Sequence, residues 1–369
     1  MNILVLTAVL YTSDNGIIPK VKSIKDTMIY NMCLGFRQIG HKVTLIAAEE
    51  YKPQNLETYD FNIIFLKSKY KKIFPPAIFP FLPDLKSYLI ENKNNFDLII
   101  SGETFSLQSL TTTRICPEKT LIWQELTRHQ KKFFKLPSKF WYNIIVPLFM
   151  KKTAIVVPRS RLAYEFIKKY MPKVSSNVVD HGININTFEY SKTKERFLIS
   201  SSQLIYRKNV DSIIRIFSNF HKIDKYKDIK LLIAGRGDEE KNLKELVKTL
   251  NIENSVCFLG FLTQKDLNKY VRVSLGFLIN TRRDLNMVSI PESIVSGTPI
   301  LTNTQPASAD YINKYKLGIA KDNWGVHELI EIIENNSFFT KNCIDYRENL
   351  SNTYCAESLI NEFKNIKNA

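Results

Sequence analysis

The stretch Asn280-Thr281-Arg282-Arg283-Asp284-Leu285-Asn286-Met287-Val288-Ser289-Ile290-Pro291-Glu292-Ser293-Ile294-Val295-Ser296-Gly297-Thr298-Pro299-Ile300-Leu301 decides the fold. Before it stands a short apolar run, Leu275 to Ile279, of the kind that forms a buried strand. The stretch then turns polar, with two arginines and Asp284, and reads as a loop. Pro291 suits the first turn of a helix, where the amide it lacks would go unpaired anyway. Gly297 is a helix stop, and Thr298 to Leu301 begins a further strand. Strand, polar loop, short helix and strand form the mouth of a parallel sheet, where α/β proteins bind ligands.

Asp284 lies in the loop and Glu292 at the helix start, with seven residues between them. Free amides of a first helical turn favour an anion. A carboxylate beside them suits a ligand that carries both hydroxyls and phosphate, such as a nucleotide sugar. The plainer alternative is that Glu292 offsets the helix dipole and Asp284 is a solvated loop residue. Spacing alone does not choose between these.

The stretch resembles the donor site of retaining family-4 glycosyltransferases, enzymes of the GT-B fold. Their pattern is Glu-x7-Glu, then Ala-x-x-x-Gly-x-Pro-Val. Here Asp284, Glu292, Ser293, Gly297, Pro299 and Ile300 hold those places, with Asp for the first Glu and Ser for Ala. Three further segments carry the resemblance. Gly40-His41-Lys42-Val43-Thr44-Leu45-Ile46 matches Gly-His-x-Val-x-x-Ile. Gly182, Ile183, Asn184 and Phe188 sit where the family has Gly-Val-Asp and a later Phe, with His181 replacing Asn. Ser202 to Asn209 aligns with Gly-Arg-Leu-x-x-x-Lys-Gly and keeps Lys208. The Arg position there is Gln203, which cannot neutralise a diphosphate; Arg207, beside Lys208, is a candidate substitute. The glycine pair that usually opens the first helix is absent near Ser23-Ile24.

The resemblance implies an α/β chain of GT-B type, two Rossmann-like domains whose parallel sheets face a central cleft. An acceptor domain would span residues 1–188 and a nucleotide-sugar donor domain 189–352. A last helix, 353–369, would cross back to the first domain. The same resemblance implies the site. Lys208, with Gln203 and Arg207 beside it and the main chain of Leu285, Asn286, Met287 and Val288, would hold the donor diphosphate. Glu292 would bind the ribose, Gly260 and Phe261 would lie near the base, and Asp284 would contact the transferred sugar. Asp284, Glu292 and Lys208 form the implied catalytic set. Such enzymes react on one face of the sugar, the donor phosphate assisting the acceptor hydroxyl. The donor is a substrate, and no cofactor is expected. The chain has no Asp-x-Asp, so no metal of the type that motif holds is expected.

Composition fits. A chain of 369 residues, 44% hydrophobic, is long enough for two cores. Five scattered cysteines without a Cys-x-x-Cys pair suggest reduced thiols. The apolar start reads as a strand rather than a signal peptide, and no run approaches a membrane span. A cytoplasmic protein is expected, with possible peripheral contact on the inner face of the membrane. Net charge is +16, and residues 1–190 hold 26 basic against 15 acidic residues, a balance of +11. Nucleic acid, anionic lipid or phosphorylated substrates would all explain that excess, as would a lysine-rich codon bias.

In the first half, the predicted strands Asp97–Gly102 and Thr120–Gln124 end on Glu103 and Glu125. With His129 these are candidates for acceptor contacts, against the plainer reading of polar residues in turns. Between Glu125 and Glu165 there is no acidic residue. That interval holds Arg128, Lys131, Lys132, Lys135, Lys139, Lys151, Lys152, Arg159 and Arg161, interleaved with Phe133, Phe134, Phe140, Trp141, Tyr142 and Phe149. Such a mixture fits a surface on anionic headgroups, or one that stacks bases, or a solvated face over a core stripe.

Rival functions follow from the departures. Gln203 and Asp284 are compatible with a non-catalytic partner subunit, and a nucleotide-sugar epimerase shares the fold. A nucleic-acid binder lacks any recognised module. Gly235-Arg236-Gly237 follows a predicted strand, but Glu240 occupies the third glycine position of a dinucleotide fingerprint, which excludes a dehydrogenase reading. The acceptor expected from the resemblance is a saccharide, or a lipid-linked saccharide, in bacterial surface polysaccharide synthesis.

Overall fold

The computed structural model describes all residues except 12–17, 19–22, 26, 56, 131–134, 152–153, 284–286 and 369. Asp284, Leu285 and Asn286 therefore lie outside the described residues. The chain forms two compact units, Met1–Ile183 with Ser351–Ala369, and Asn184–Leu350.

The first unit holds strands β1 (Asn2–Leu6), β2 (Lys42–Ala48), β3 (Asn62–Leu66), β4 (Leu98–Gly102), β5 (Thr120–Gln124) and β6 (Ile155–Pro158). They form one parallel sheet in the order β3-β2-β1-β4-β5-β6. The central strands are continuous apolar runs because both faces are covered, the usual state of a parallel sheet. Ile3, Leu4, Val5 and Leu6 are wholly buried. The helix Met28–Gln38 covers one face with Ile29, Met32, Cys33 and Phe36, and the Thr27 hydroxyl caps it by accepting from the Tyr30 amide. The closing helix Asn352–Asn368 packs beside it through Cys355, Leu359, Ile360 and Phe363.

The second unit holds β7 (Glu195–Ser201), β8 (Lys230–Ala234), β9 (Val256–Gly260), β10 (Ser274–Leu278), β11 (Ile300–Thr302) and β12 (Gly318–Ala320). Their order, β12-β11-β10-β7-β8-β9, repeats that of the first sheet, all parallel. The helix Val210–Phe220 supplies Ile213, Ile214, Phe217 and Phe220 to the core.

Two helices lack a sequence signal. Leu107–Ile115 carries Thr111, Thr112 and Thr113, β-branched residues that disfavour helix. Their hydroxyls donate to carbonyls three and four residues back, which lets Thr112 and Thr113 be buried. Asn336–Tyr346 follows the preceding helix Val326–Glu334 with a single residue between.

Candidate functional site

In each sheet the strand order reverses at one place, between β1 and β4 in the first unit and between β7 and β10 in the second. The crevice beyond the carboxyl ends of such a strand pair is where open α/β sheets take ligands. Two loops leave the second sheet there. One follows β7 into a 3₁₀ turn, Tyr206–Lys208, closed by Asn209 at φ 55°; asparagine is among the few residues that enter this left-handed region readily. The other follows β10 and leads to the helix Ser289–Val295. That helix starts two residues before Pro291, which still falls in its first turn. It ends where Gly297, at φ 74°, donates its amide to the Ile294 carbonyl.

Arg282 fastens the two loops together. Its amide donates to the Arg207 carbonyl at 2.9 Å, and the Thr281 hydroxyl donates to the same oxygen at 3.1 Å. Its guanidinium donates through Nη1 to the Tyr206 carbonyl and through Nη2 to both Asp211 oxygens, each at 3.1 Å. The same group lies 4.0 Å from the Tyr206 ring centroid. The two nitrogens of one planar group thus hold two partners at a fixed angle, which a point charge would not. The turn bearing Lys208 and the first residues of the loop after β10, Thr281 and Arg282, therefore form one braced element.

Gly235 and Gly237 support it from the β8 exit. The Leu204 amide donates to the Arg236 carbonyl at 2.9 Å. A Cβ on Gly235 would stand 1.8 Å from the Ser202 oxygen, and one on Gly237 2.2 Å from that of Leu204. These glycines serve main-chain packing against the Ser202–Leu204 segment.

Around this element lie the other candidates. Lys208 is half-buried, while Gln203 and Arg207 are exposed, and Arg207 reaches the Arg283 carbonyl at 3.4 Å. Glu292 is half-buried, and its Oε1 accepts from the Gln264 amide at 2.6 Å. Gln264 opens the helix Gln264–Val271, capped by Thr263. Gly260 ends β9 at φ 69°, and Phe261 beside it is 70% exposed. Met287 is buried and Val288 exposed. Sequence reasoning missed Arg282, Asp211 and Gln264. The pairings span 71 residues for Arg282 with Asp211 and 28 for Gln264 with Glu292, so no local pattern announces them.

In the first unit Glu103 sits at φ 65° at the β4 exit. Its carboxylate accepts from the amides of Glu125 at 2.7 Å and Leu126 at 3.2 Å. Burial, with the Glu125 charge adding to it, pushes its pKa up to about 8. Glu125 pairs with Arg159 at 2.6 Å. Arg159 also meets Asp180 at 3.7 Å and His181 Nδ1 at 3.2 Å, and lies 4.4 Å from the Trp123 ring centroid. Burial opposes its charge, but Glu125, Asp180 and Glu103 outweigh that and raise its pKa. His129 is apart from this group. Its Nδ1 meets Ser138 Oγ at 3.1 Å and its Nε2 the Tyr170 hydroxyl at 3.2 Å, among the rings of Tyr142 and Phe166. Burial, helped by Lys139 and Lys135, lowers its pKa.

One sequence grouping needs correction. Arg159, Trp141 and Tyr142 do not belong to a basic aromatic surface: all three are buried. Arg159 is held by the carboxylates, and the two rings fill the core of their unit. Among the described residues, no three His, Cys, Asp or Glu side chains converge as a metal set.

Residues 184–351 match the family model described as "Glycosyl transferases group 1", a span that coincides with the second unit. The second unit belongs to that family, and the two Rossmann-like sheets give the whole chain the GT-B fold. Among solved structures, a glycosyltransferase from Rickettsia africae superposes with a TM-score of 0.70 at 14% identity, over 99% of this chain and 98% of that one. Anabaena Alr3699/HepE, solved with UDP, gives 0.66 at 14% identity, over 99% and 100%. Of the characterised relatives, the alpha-monoglucosyldiacylglycerol synthase of Streptococcus pneumoniae is 25% identical over 190 residues, covering 47% of this chain and 42% of the relative. A Campylobacter jejuni N-acetylgalactosaminyltransferase acting on a diphospho-undecaprenol saccharide is 24% identical over 204 residues, 53% and 50% of the two chains. The chain spans about half the length of the curated relatives it matches.

Proposed function

We propose that the protein is a retaining glycosyltransferase. It moves a sugar from a nucleotide diphosphate donor to a hydroxyl of a lipid-linked saccharide in bacterial surface polysaccharide assembly. It needs no metal ion and works in the cytoplasm at an anionic membrane. The observation that carries this reading is the braced element at the β7/β10 switch, which joins the Lys208 turn to Thr281 and Arg282 at the start of the loop after β10.

The roles extend those that the resemblance implies. Lys208 offsets the charge that grows on the leaving diphosphate, and Arg207 stands next to it in place of the arginine that Gln203 lacks. A fixed cation outside bulk water stabilises that charge without having to reorganise during reaction. Glu292, oriented by Gln264, accepts from the ribose hydroxyls, and Phe261 flanks the base beside Gly260. Asp284 contacts the transferred sugar, and the main chain from Leu285 to Val288 completes the diphosphate contacts. The second unit takes the donor and the first the acceptor. At the acceptor, Glu125 and His129 are the contact residues, and Glu103, which accepts from the Glu125 and Leu126 amides, positions the loop that carries Glu125.

The relatives support the substrate class. The names of the pneumococcal and Campylobacter proteins place a lipid or a lipid-linked saccharide at their active sites, and an Escherichia coli relative is named for O-antigen biosynthesis. The direct test incubates the chain with nucleotide sugars and undecaprenyl-linked saccharides, then assigns the new linkage by NMR. The expected product keeps the anomeric configuration of the donor. An inverted product would contradict retention, and no transfer from any donor would contradict the enzyme reading.

A further inference from the structure

The helical run of residues 136–149 in the first unit has two apolar faces. One points inward. Ser138, Trp141, Tyr142 and Val146 are buried, the last three beside Ile122, Val156 and Phe166. The Trp141 indole N–H donates to the Thr104 carbonyl at 2.9 Å. The other points outward. Leu136, Phe140, Ile144 and Leu148 are 64%, 55%, 43% and 68% exposed. A surface helix ordinarily carries polar residues opposite its core face. Here that side holds a second row of large apolar side chains, spaced four residues apart.

The backbone keeps the row in line. In a regular helix each four-residue step drifts by about 40°. Between two α-helical segments, Leu136–Phe140 and Val146–Phe149, the run opens into a π turn over Trp141–Ile145. There the Val146 amide reaches five residues back to the Trp141 carbonyl. Pro147, which has no amide to give, follows at once. The wider turn removes part of the drift, so four outward side chains share one side. Such turns tend to occur at functional positions.

The charge around the row has one sign. Lys135, Lys139 and Lys151 are exposed, and the Arg114 guanidinium lies 5.1 Å from the Phe149 ring centroid. No acidic residue occurs between Glu125 and Glu165. Bulky apolar side chains edged by these cations match the boundary between acyl chains and anionic headgroups. A protein partner is a poorer fit, since lysine is depleted where protein interfaces are buried. Nucleic acid is poorer still, because Leu136, Ile144 and Leu148 stand where stacking would need flat rings.

We propose that Leu136, Phe140, Ile144 and Leu148, flanked by Lys135, Lys139 and Lys151, lie in the headgroup region of an anionic bilayer, with the helix axis parallel to its plane. A run of 14 residues, roughly 20 Å, suits lying along the surface. Among the described residues no helix is long and apolar enough to cross a membrane. The inference deepens the membrane part of the function proposed above, and its test does not depend on sugar transfer.

The test floats the full chain with phosphatidylcholine vesicles, with and without phosphatidylglycerol. Binding is expected only with the anionic lipid. Phe140→Ser combined with Leu148→Ser should weaken it by about tenfold or more, and Lys135→Glu with Lys139→Glu should abolish it. Both variants alter exposed side chains, so melting temperature and any nucleotide-induced shift should stay as in the parent chain. An intact nucleotide shift without flotation sinks the membrane face and leaves the donor site standing; flotation without a nucleotide shift does the reverse. Equal binding to neutral vesicles would overturn the proposal. So would undiminished binding by the serine variant, or a dimer that this variant dissolves.

Discussion

In the second unit the loops leaving β7 and β10 are tied to each other, through Arg282, Thr281 and the Arg207 carbonyl. In the first unit the carboxylates leaving β4 and β5 are tied into their own interior: Glu103 to two amides and Glu125 to the buried Arg159. The sheets have the same strand order, so the difference is not topological. One strand exit is braced by Thr281 and Arg282 against the turn that carries Lys208. The other uses its own strand-exit side chains as the brace. Two copies of one architecture thus acquire different chemistry at the loops, the usual way a fold takes on function.

The largest effect should come from removing the cation. Lys208→Ala should weaken nucleotide diphosphate binding by roughly tenfold to a hundredfold in titration calorimetry, the range of a charge-assisted contact. A change within about twofold would mean that the braced element does not face the diphosphate. Next is Arg282→Ala, which leaves Lys208 in place but releases its turn. Affinity should fall about tenfold, and Arg282→Lys should not restore it, because an ammonium lacks the two nitrogens that the planar guanidinium sets apart to hold the Tyr206 carbonyl and Asp211 together. Full rescue by lysine would show that only charge matters there.

A smaller effect is expected at Gln264. It orients Glu292 without being charged, so Gln264→Ala should raise the donor KM by about threefold with kcat nearly unchanged. A drop in kcat alone would place Gln264 in the chemical step instead. In the first unit the sharpest signature is in pH. The folded pKa of Glu103, about 8, stands above its ordinary value of 4.5. Between those values the folded chain holds a proton that the unfolded chain has lost. Stability should therefore fall as pH rises through that window and level off above it. Urea melts across the window should show this decline, and Glu103→Gln should flatten it. A parent chain with no decline would mean that Glu103 is charged at neutral pH.

The strands were legible because buried parallel strands read as unbroken apolar runs: Ile3 to Leu6, Leu98 to Ile100 and Leu121 to Trp123 announce themselves. Gly40 and Gly297 marked helix ends correctly, since both take the left-handed conformation that other residues avoid. The motif around Glu292 located the mouth of the second sheet. What held that mouth together was not legible. Arg282 looked like any loop cation, and its partners come from a turn and a helix more than 70 residues away. Arg159 was counted with surface lysines because composition gives sign and not direction; its burial depends on Glu125, at the β5 exit, and Asp180, in the segment before Gly182. The π turn at Trp141–Ile145 arises from a backbone pairing that no hydrophobic period encodes.

The central claim, that the braced element of the second unit binds a nucleotide diphosphate, is tested most directly by melting the purified chain against a panel of nucleotide diphosphates and their sugars. A ligand that binds only the folded state raises the melting temperature, the more so the further its concentration exceeds Kd. The predicted result is a rise with one nucleotide that disappears in both Glu292→Ala and Lys208→Ala. No rise with any nucleotide, or a rise that both substitutions leave intact, would contradict the claim.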